Sequence, residues 1–362
     1  GVELALEDFG DVLGHAVDLG TGEDDLCSAE GGTSGAQAIV AQPDVIAVIG
    51  TTCSGAGVPA SQILSEAGMV LFSGSNTSPA LTSDFQGTPG TAWQPGYYRT
   101  AHNDLVQGEA AARYALEVLG LTKAAAIHDG DPYTEGLAQA FATNFVKLGG
   151  EITLFTAVNK GDTDMVPVLT AVAAGGPEVV YFPIFQPEGD FIIQQRAGVA
   201  GLEDVVMFGA DGLLVTGFLA LPESEEMYFS GPDLRFGANA GLTGVAYDDL
   251  VARYTLTFGE APPAAFHAHT YDATMIVLSA IESVAVVGPN AELWIDRQAL
   301  RDELYATSNF PGVIGTLECD DFGDCGSQAV AVFFHPDFNQ PELAQQTYVY
   351  SFTPLGGGKV EG

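Results

Sequence analysis

The sequence predicts an α/β protein whose mostly parallel sheets are covered by helices on both faces. Short apolar runs at residues 45–49, 70–72, 124–127, 152–156, 179–182 and 205–208 are bounded by Gly, Pro or acidic residues, as buried parallel strands are. Between them lie longer stretches with helical spacing, and this alternation makes parallel sheets the economical architecture. The alternating unit also recurs in two blocks, one from the start to about residue 94 and one over 124–208. Each block supports a doubly wound sheet of its own, with binding loops at the carboxyl ends of its strands.

Taken in order, residues 1–9 read as an amphipathic helix already under way, with no strand ahead of it. Upstream sequence is therefore expected, any export signal included. After the strand at 45–49 a helix is expected over 59–67, with Pro59 in its first turn, where a missing N–H costs nothing. The run 69–72 forms the next strand. Residues 104–119 form a helix stopped by Gly120. Residues 135–148 form another, with Leu137, Phe141, Phe145 and Leu148 on one face and Gly149-Gly150 as its stop. Residues 165–174 repeat the pattern before Gly175-Gly176. The stretches 95–100 and 228–232 are expected to be the first and second crossings between lobes. A long helical pattern covers 266–284, and beyond Gly315 the chain turns to β, with strands at 329–334 and 347–352.

Composition narrows the function. At 362 residues the chain suits about two or three domains of ~150 residues. A hydrophobic content of 47% fills real cores. Lys and Arg total 11 against 47 Asp and Glu, a net charge of −36, which repels nucleic acid and anionic membrane alike. Such a surface suits a salty or cation-rich setting, or simple solubility, better than a specific acidic site. No run approaches the ~18 apolar residues that span a bilayer.

The four cysteines, Cys27, Cys53, Cys319 and Cys325, allow three pairings, of which Cys27–Cys53 with Cys319–Cys325 is the economical one. A four-thiolate zinc site competes, but Cys27 and Cys53 are too far apart for a close C-x-x-C pair. Disulfides place the protein outside the cytoplasm. Closing the loop between Cys27 and Cys53 contributes roughly 3–4 kcal/mol by chain entropy.

The candidate binding residues follow two strands. Ile49-Gly50-Thr51-Thr52-Cys53-Ser54-Gly55 and Ser73-Gly74-Ser75-Asn76-Thr77-Ser78-Pro79 place hydroxyls and free N–H groups at strand ends and a helix N-terminus. That is a neutral site for a small anion such as a carboxylate. The loops hold no Lys or Arg, which argues against phosphate and for a weakly charged or zwitterionic ligand. Taken locally, Ser54 and Thr77 also fit helix-cap and turn roles.

Enzyme signatures are missing: no Gly-x-Ser-x-Gly elbow, no Walker loop and no His-Glu-x-x-His, while Gly20-Thr21-Gly22 lacks the rest of a dinucleotide fingerprint. Neither an enzyme nor a cofactor is expected. His267-x-His269 invites a metal reading, but on a helix those side chains diverge, so a structural role is expected. Asp320-Asp321-x-x-Asp324 lacks the full spacing and terminal Glu of a calcium loop.

An ordered set of short motifs carries a resemblance. It comprises Cys53-Ser54, Thr77-x-Pro79-x-Leu81-Thr82, His128-Asp129-x-x-x-Tyr133-x-x-Gly136, Val180-Tyr181-Phe182, Pro187-Glu188, Gly209-Ala210-Asp211-Gly212 and Tyr271-Asp272-Ala273. With this spacing, over nearly the whole chain, the sequence resembles the leucine/isoleucine/valine-binding group of type I periplasmic binding proteins, which serve amino-acid ABC transporters. The resemblance implies two doubly wound, Rossmann-like lobes joined by three hinge crossings and closing on ligand. The expected lobes are 1–98 with 233–312, and 99–232 with 313–362. Ser54 and Thr77, with backbone N–H groups near Ser75, would hold the ligand α-carboxylate, and Asp211 the ammonium. The family usually carries an acidic residue there, often Glu; Asp is one methylene shorter, so the ammonium must sit deeper or be bridged by water. Tyr133 would cover the ligand from the second lobe and Phe185 line the cleft. The family's cysteine pairing matches Cys27–Cys53, leaving Cys319–Cys325 as an extra clip.

Two departures stand out. Ser75 and Asn76 replace smaller apolar residues expected beside Thr77, which makes the pocket more polar. The family's first strand is also missing, so either upstream sequence or another chain is expected to supply it. The expected function is capture of an amino acid or similar zwitterion outside the cytoplasm and delivery to an ABC transporter permease, with room for a lipid anchor outside this sequence. The rivals are a ligand-sensing receptor domain and a self-assembling extracellular protein on the same fold.

Overall fold

The computed structural model describes residues 1–354 and the backbone of the strand at 356–359. The chain forms two compact units: Gly1–His102, Leu234–Pro262 and Phe266–Ser327 in the first, and Asn103–Asp233, Pro263–Ala265 and Gln328–Gly362 in the second. Residues 313–327, expected in the second lobe, thus belong to the first unit. The reason is local pairing: Gly315–Leu317 runs antiparallel to Phe310–Gly312, and the N–H of Cys325 donates to the carbonyl of Arg99. Residues 355 and 360–362 of the expected second lobe lie outside the described residues.

The first unit is built on three parallel strands, Ala47–Ile49, Val70–Ser73 and Tyr97–Arg99, side by side in that order. Alternate side chains point to opposite faces of a strand. Leu71 and Tyr97 therefore join one core with Leu64 and Leu81, while Val70, Phe72 and Tyr98 join another with Tyr271, Met275 and Leu300. The first core lies under helices Ala29–Val40 and Ser54–Glu66, whose starts are tied by the disulfide Cys27–Cys53. The second is covered by Val2–Phe9, His267–Val284 and Arg297–Tyr305. The helix expected over 59–67 begins five residues earlier, at Ser54, with Pro59 inside it rather than in its first turn. Small residues at its start, Ser54-Gly55-Ala56-Gly57, hid it from a search for apolar periodicity.

The second unit holds an eight-stranded sheet. From one edge the strands are Glu151–Ala157, Lys123–His128, Val179–Tyr181, Val206–Ala210, Tyr228–Pro232, Val330–Phe334, Tyr348–Thr353 and Gly356–Lys359. The first five are parallel and the last three add antiparallel pairings. Residues 228–232, expected to cross between lobes, are thus a sheet strand, and 95–100 contains the strand Tyr97–Arg99. The chain changes units just after each of these strands, at 102–103 and 233–234.

Period-two alternation again divides the second unit's core. Ala125, Ile127, Val180 and Met207 pack with Leu169, Val172, Ile192 and Ile193 from helices Val166–Ala174 and Glu188–Gln195. Ala124, Ala126, Tyr181 and Phe208 pack with Ala110 of Asp104–Arg113 and with Leu137, Phe141 and Phe145 of Pro132–Lys147. The expected helix 104–119 is α-helical only to Arg113 and closes with a π turn, Tyr114–Val118. No helix among the described residues is long and apolar enough to cross a membrane.

Candidate functional site

In the first unit, Ser54, Ser75, Asn76 and Thr77 come together because two parallel neighbours, Ala47–Ile49 and Val70–Ser73, end side by side. Ser54 opens the helix Ser54–Glu66, whose N-cap, Cys53, makes no side-chain capping bond. The helix start therefore keeps free N–H groups and the positive end of its dipole. Ser54 Oγ accepts the N–H of Ser78 at 3.3 Å. Thr77 is buried, and neither its hydroxyl nor its N–H has a partner among the described residues. A buried, unpaired donor pair beside a helix N-terminus suits a small anion.

The neighbours of Thr77 hold the loop. Ser73 Oγ accepts the N–H groups of Ser75 and Asn76 at 3.1 and 2.9 Å and donates to the carbonyl of Thr51 at 2.8 Å. Ser75 Oγ donates to the Thr52 carbonyl at 3.0 Å. Asn76 is fully buried: Nδ2 donates to the Thr51 carbonyl at 2.9 Å, and Oδ1 accepts from Thr51 Oγ1 at 3.1 Å and Tyr97 OH at 3.2 Å. Its amide is thus occupied within the unit.

The second unit carries a different cluster at the carboxyl end of Val206–Ala210. Asp211 opens the short 3-10 turn Asp211–Leu213. Its Oδ1 accepts from Gln107 Nε2 at 2.6 Å and Tyr133 OH at 3.0 Å, while Oδ2 has no hydrogen-bond partner among the described residues. Burial pushes the Asp211 carboxyl up to about 6, against the lowering effect of those two donors. Burial, and then the charge of Asp211, pushes the Tyr133 hydroxyl well above its ordinary value, so it stays a neutral donor. Tyr133 enters at the start of Pro132–Lys147, capped by Asp131, whose Oδ1 accepts the Tyr133 N–H at 3.0 Å. Phe185 lies 5.0 Å from the Tyr133 ring, centroid to centroid. Gly212 makes this possible, since a Cβ there would come within 2.9 Å of the Phe185 ring.

Gln107 and Ser230 escaped sequence reasoning, which had Tyr181 only in the Val180-Tyr181-Phe182 motif and gave it no contact. Gln107 Nε2 also donates to the Ser230 carbonyl and reaches Ser230 Oγ, both at 3.1 Å, and Ser230 Oγ pairs with Tyr181 OH at 3.0 Å. Their spacings of 104 and 123 residues leave no local signal. In the first unit the pairing of Arg99 with Asp324 was missed for the same reason: they form a buried ion pair across 225 residues.

The metal readings find no geometry, since among the described residues no group of His, Cys, Asp or Glu could hold a metal ion. All four cysteines are paired, Cys27 with Cys53 and Cys319 with Cys325. His267 Nε2 bonds to Tyr247 OH at 3.1 Å, while His269 is buried beside Phe236 and Phe266, with its pKa pushed well below the usual value by burial.

Comparison with known proteins identifies the family. Residues 1–333 match the periplasmic binding protein family. An amino acid binding protein of Pseudomonas aeruginosa is 32% identical over 67% of this chain, which spans 62% of that relative. Leu/Ile/Val-binding protein homolog 1 of Brucella suis is 30% identical over 90% of this chain and 81% of its own length. Among solved structures, the leucine binding protein LivK of Thermotoga maritima superposes with a TM-score of 0.78 at 25% identity, covering 93% of this chain and 89% of that one. The chain is therefore a member of the periplasmic binding protein family, a family of solute-binding proteins rather than enzymes.

Proposed function

We propose that this protein captures an α-amino acid with a branched aliphatic side chain, in the periplasm or the extracellular space, and delivers it to the permease of an ABC transporter. The observation that carries the reading is the pair of unspent groups: the hydroxyl and N–H of Thr77 in the first unit, and Oδ2 of Asp211 in the second. The first set suits a carboxylate and the second an ammonium. Ser54 and Thr77 take the α-carboxylate, with Ser75 and Asn76 shaping the loop, and Asp211 takes the ammonium beside Tyr133 and Phe185. The branched side chain is inferred from relatives named for leucine, isoleucine and valine binding.

The test is calorimetric titration of the ligand-stripped protein with the common amino acids, repeated on Asp211→Ala. Tight one-to-one binding of leucine, isoleucine or valine is expected, weakened by about 1.5–3 kcal/mol in the variant through loss of a charge-assisted hydrogen bond. A folded wild-type protein that binds no amino acid overturns the reading. Unchanged affinity in Asp211→Ala removes Asp211 from it.

A further inference from the structure

Behind the 75–78 loop lies an ion pair that the proposed ligand contacts do not use. Arg99, fully buried, donates from Nε to Asp324 Oδ1 at 2.6 Å and from Nη2 to Asp324 Oδ2 at 2.9 Å, a bidentate pair. Nη2 also donates to Thr82 Oγ1 at 2.7 Å, and that hydroxyl donates to Asp324 Oδ2 at 2.7 Å. Nη1 reaches the loop itself, donating to the carbonyls of Ser78 at 2.8 Å and Asn76 at 3.3 Å. These two carbonyls flank Thr77, whose hydroxyl and N–H have no partner among the described residues.

Asp324 is itself firmly placed. It lies in the loop 319–325 closed by the disulfide Cys319–Cys325. Asp320 Oδ1 accepts the N–H of Phe322 at 2.9 Å and of Asp324 at 2.8 Å, and Trp93 Nε1 donates to the Phe322 carbonyl at 3.0 Å. The loop also pairs with the strand that carries Arg99: the Arg99 N–H donates to the Gly323 carbonyl at 2.9 Å, and the Cys325 N–H to the Arg99 carbonyl at 2.8 Å. Gly323, at φ +87°, permits this approach, since a Cβ there would lie 2.1 Å from the Tyr97 carbonyl.

We propose that Arg99 and Asp324 are positioning residues for the anionic end of the ligand. Asp324 fixes the guanidinium, the guanidinium fixes the carbonyls on either side of Thr77, and the Thr77 donors are thereby held in one orientation. The pair adds no net charge to the site, because each member neutralises the other. A buried guanidinium without its carboxylate is costly and seeks other acceptors, so the loop cannot keep its shape when Asp324 is neutralised. The inference rests on the proposed binding of an α-carboxylate at Ser54 and Thr77.

The test compares wild type, Asp324→Asn, Thr82→Val and a core control, Leu64→Ala, in titrations with L-leucine and L-leucinamide, which lacks the carboxylate but keeps the ammonium. Hydrogen exchange of residues 75–82 is followed in the ligand-free proteins. Asp324→Asn should lower the preference for leucine over leucinamide about tenfold, with the leucinamide Kd moving less than about threefold. Thr82→Val keeps the ion pair and should lower the preference about threefold, and it decides the matter if Asp324→Asn does not fold. Exchange over 75–82 should quicken in both variants, while Leu64→Ala should keep the wild-type preference despite its lower stability. Folded variants that keep that preference, or that lose affinity for both ligands equally, overturn the proposal. A wild-type protein that binds no α-amino acid overturns the functional reading itself, and this inference with it.

Discussion

In the first unit Ser54 and Thr77 offer hydroxyls and N–H groups without formal charge, and the nearby cation, Arg99, is turned into Asp324. In the second unit a single carboxylate, Asp211, carries the charge, and burial opposes its ionisation. On the proposed reading, the two half-sites would meet the two ends of a zwitterion by different means. Several neutral donors on a prearranged loop would share out the negative end, and none of them titrates near neutral pH. One acid would meet the positive end, so that contact would follow the acid's protonation. Loop architecture governs the first half-site and proton balance the second.

The sharpest way to break the comparison is Arg99→Met, which strands Asp324 in the interior of the first unit. It should lower unfolding free energy by about 3–5 kcal/mol in denaturant titration. A loss of less than about 1 kcal/mol would mean that the pair does not hold the first half-site together.

The next effect is in pH. Asp211 must be ionised to pair with an ammonium, so leucine affinity should be flat from pH 8 to 7. It should fall by about tenfold per unit well below pH 6, as Asp211 takes up its proton. Asp211→Asn should abolish that slope in calorimetry at several pH values, whereas Thr77→Val should preserve it.

Stability should move the other way. The folded-state pKa of Asp211 lies above its ordinary value of 3.8, so the native protein binds this proton more tightly than the unfolded chain does. The stabilisation is full below the unfolded value and is lost as pH rises through about 6. At pH 8 the ionised, ligand-free Asp211 is a net cost, and Asp211→Asn should stabilise the protein by about 1–2 kcal/mol while weakening binding. A destabilised Asp211→Asn would show that the Gln107 and Tyr133 bonds outweigh burial.

The smallest effect belongs to Thr77→Val, which removes one neutral donor and should weaken leucine binding by about 1 kcal/mol. Equal weakening of leucinamide would remove Thr77 from the carboxylate end.

The elements legible in sequence were those where apolar periodicity and burial coincide. Leu137, Phe141 and Phe145 lie one above another on Pro132–Lys147 and are all buried, so the pattern that identified the helix also identified its packed face. The strands of the second unit are alike, since runs such as Val179–Tyr181 are buried on both faces. The start of Ser54–Glu66 was illegible because Ser54-Gly55-Ala56-Gly57 has small side chains and no apolar stripe, although all four are buried. Tyr228–Pro232 looked like a crossing because Gly231-Pro232 punctuates it. It is nevertheless a strand: residues 228–230 register with Phe208–Ala210 on one side, and the whole strand registers with Val330–Phe334 on the other.

The candidate site divides on the same line. Ser54, Thr77, Tyr133 and Asp211 stand in short motifs next to strands or helix starts, where chain direction alone brings them to a sheet's carboxyl edge. Gln107, Ser230 and Arg99 have no such motif, Asp324 stood only in the Asp320-Asp321-x-x-Asp324 run weighed for calcium, and their contacts span 104 to 225 residues.

By itself, then, the sequence determined the α/β class, the two blocks of alternating strands and helices, the acidic surface and the candidate ligand contacts. These follow from local periodicity, composition and short spacings, all properties of neighbouring residues. Only the tertiary structure decided that residues 313–327 belong with the first unit, that Asn76 is spent on its own loop, and that Arg99 is locked to Asp324. Those outcomes depend on which distant segments pair and which buried polar groups find partners, and a buried hydrogen bond between residues hundreds of positions apart leaves no periodic trace in the chain.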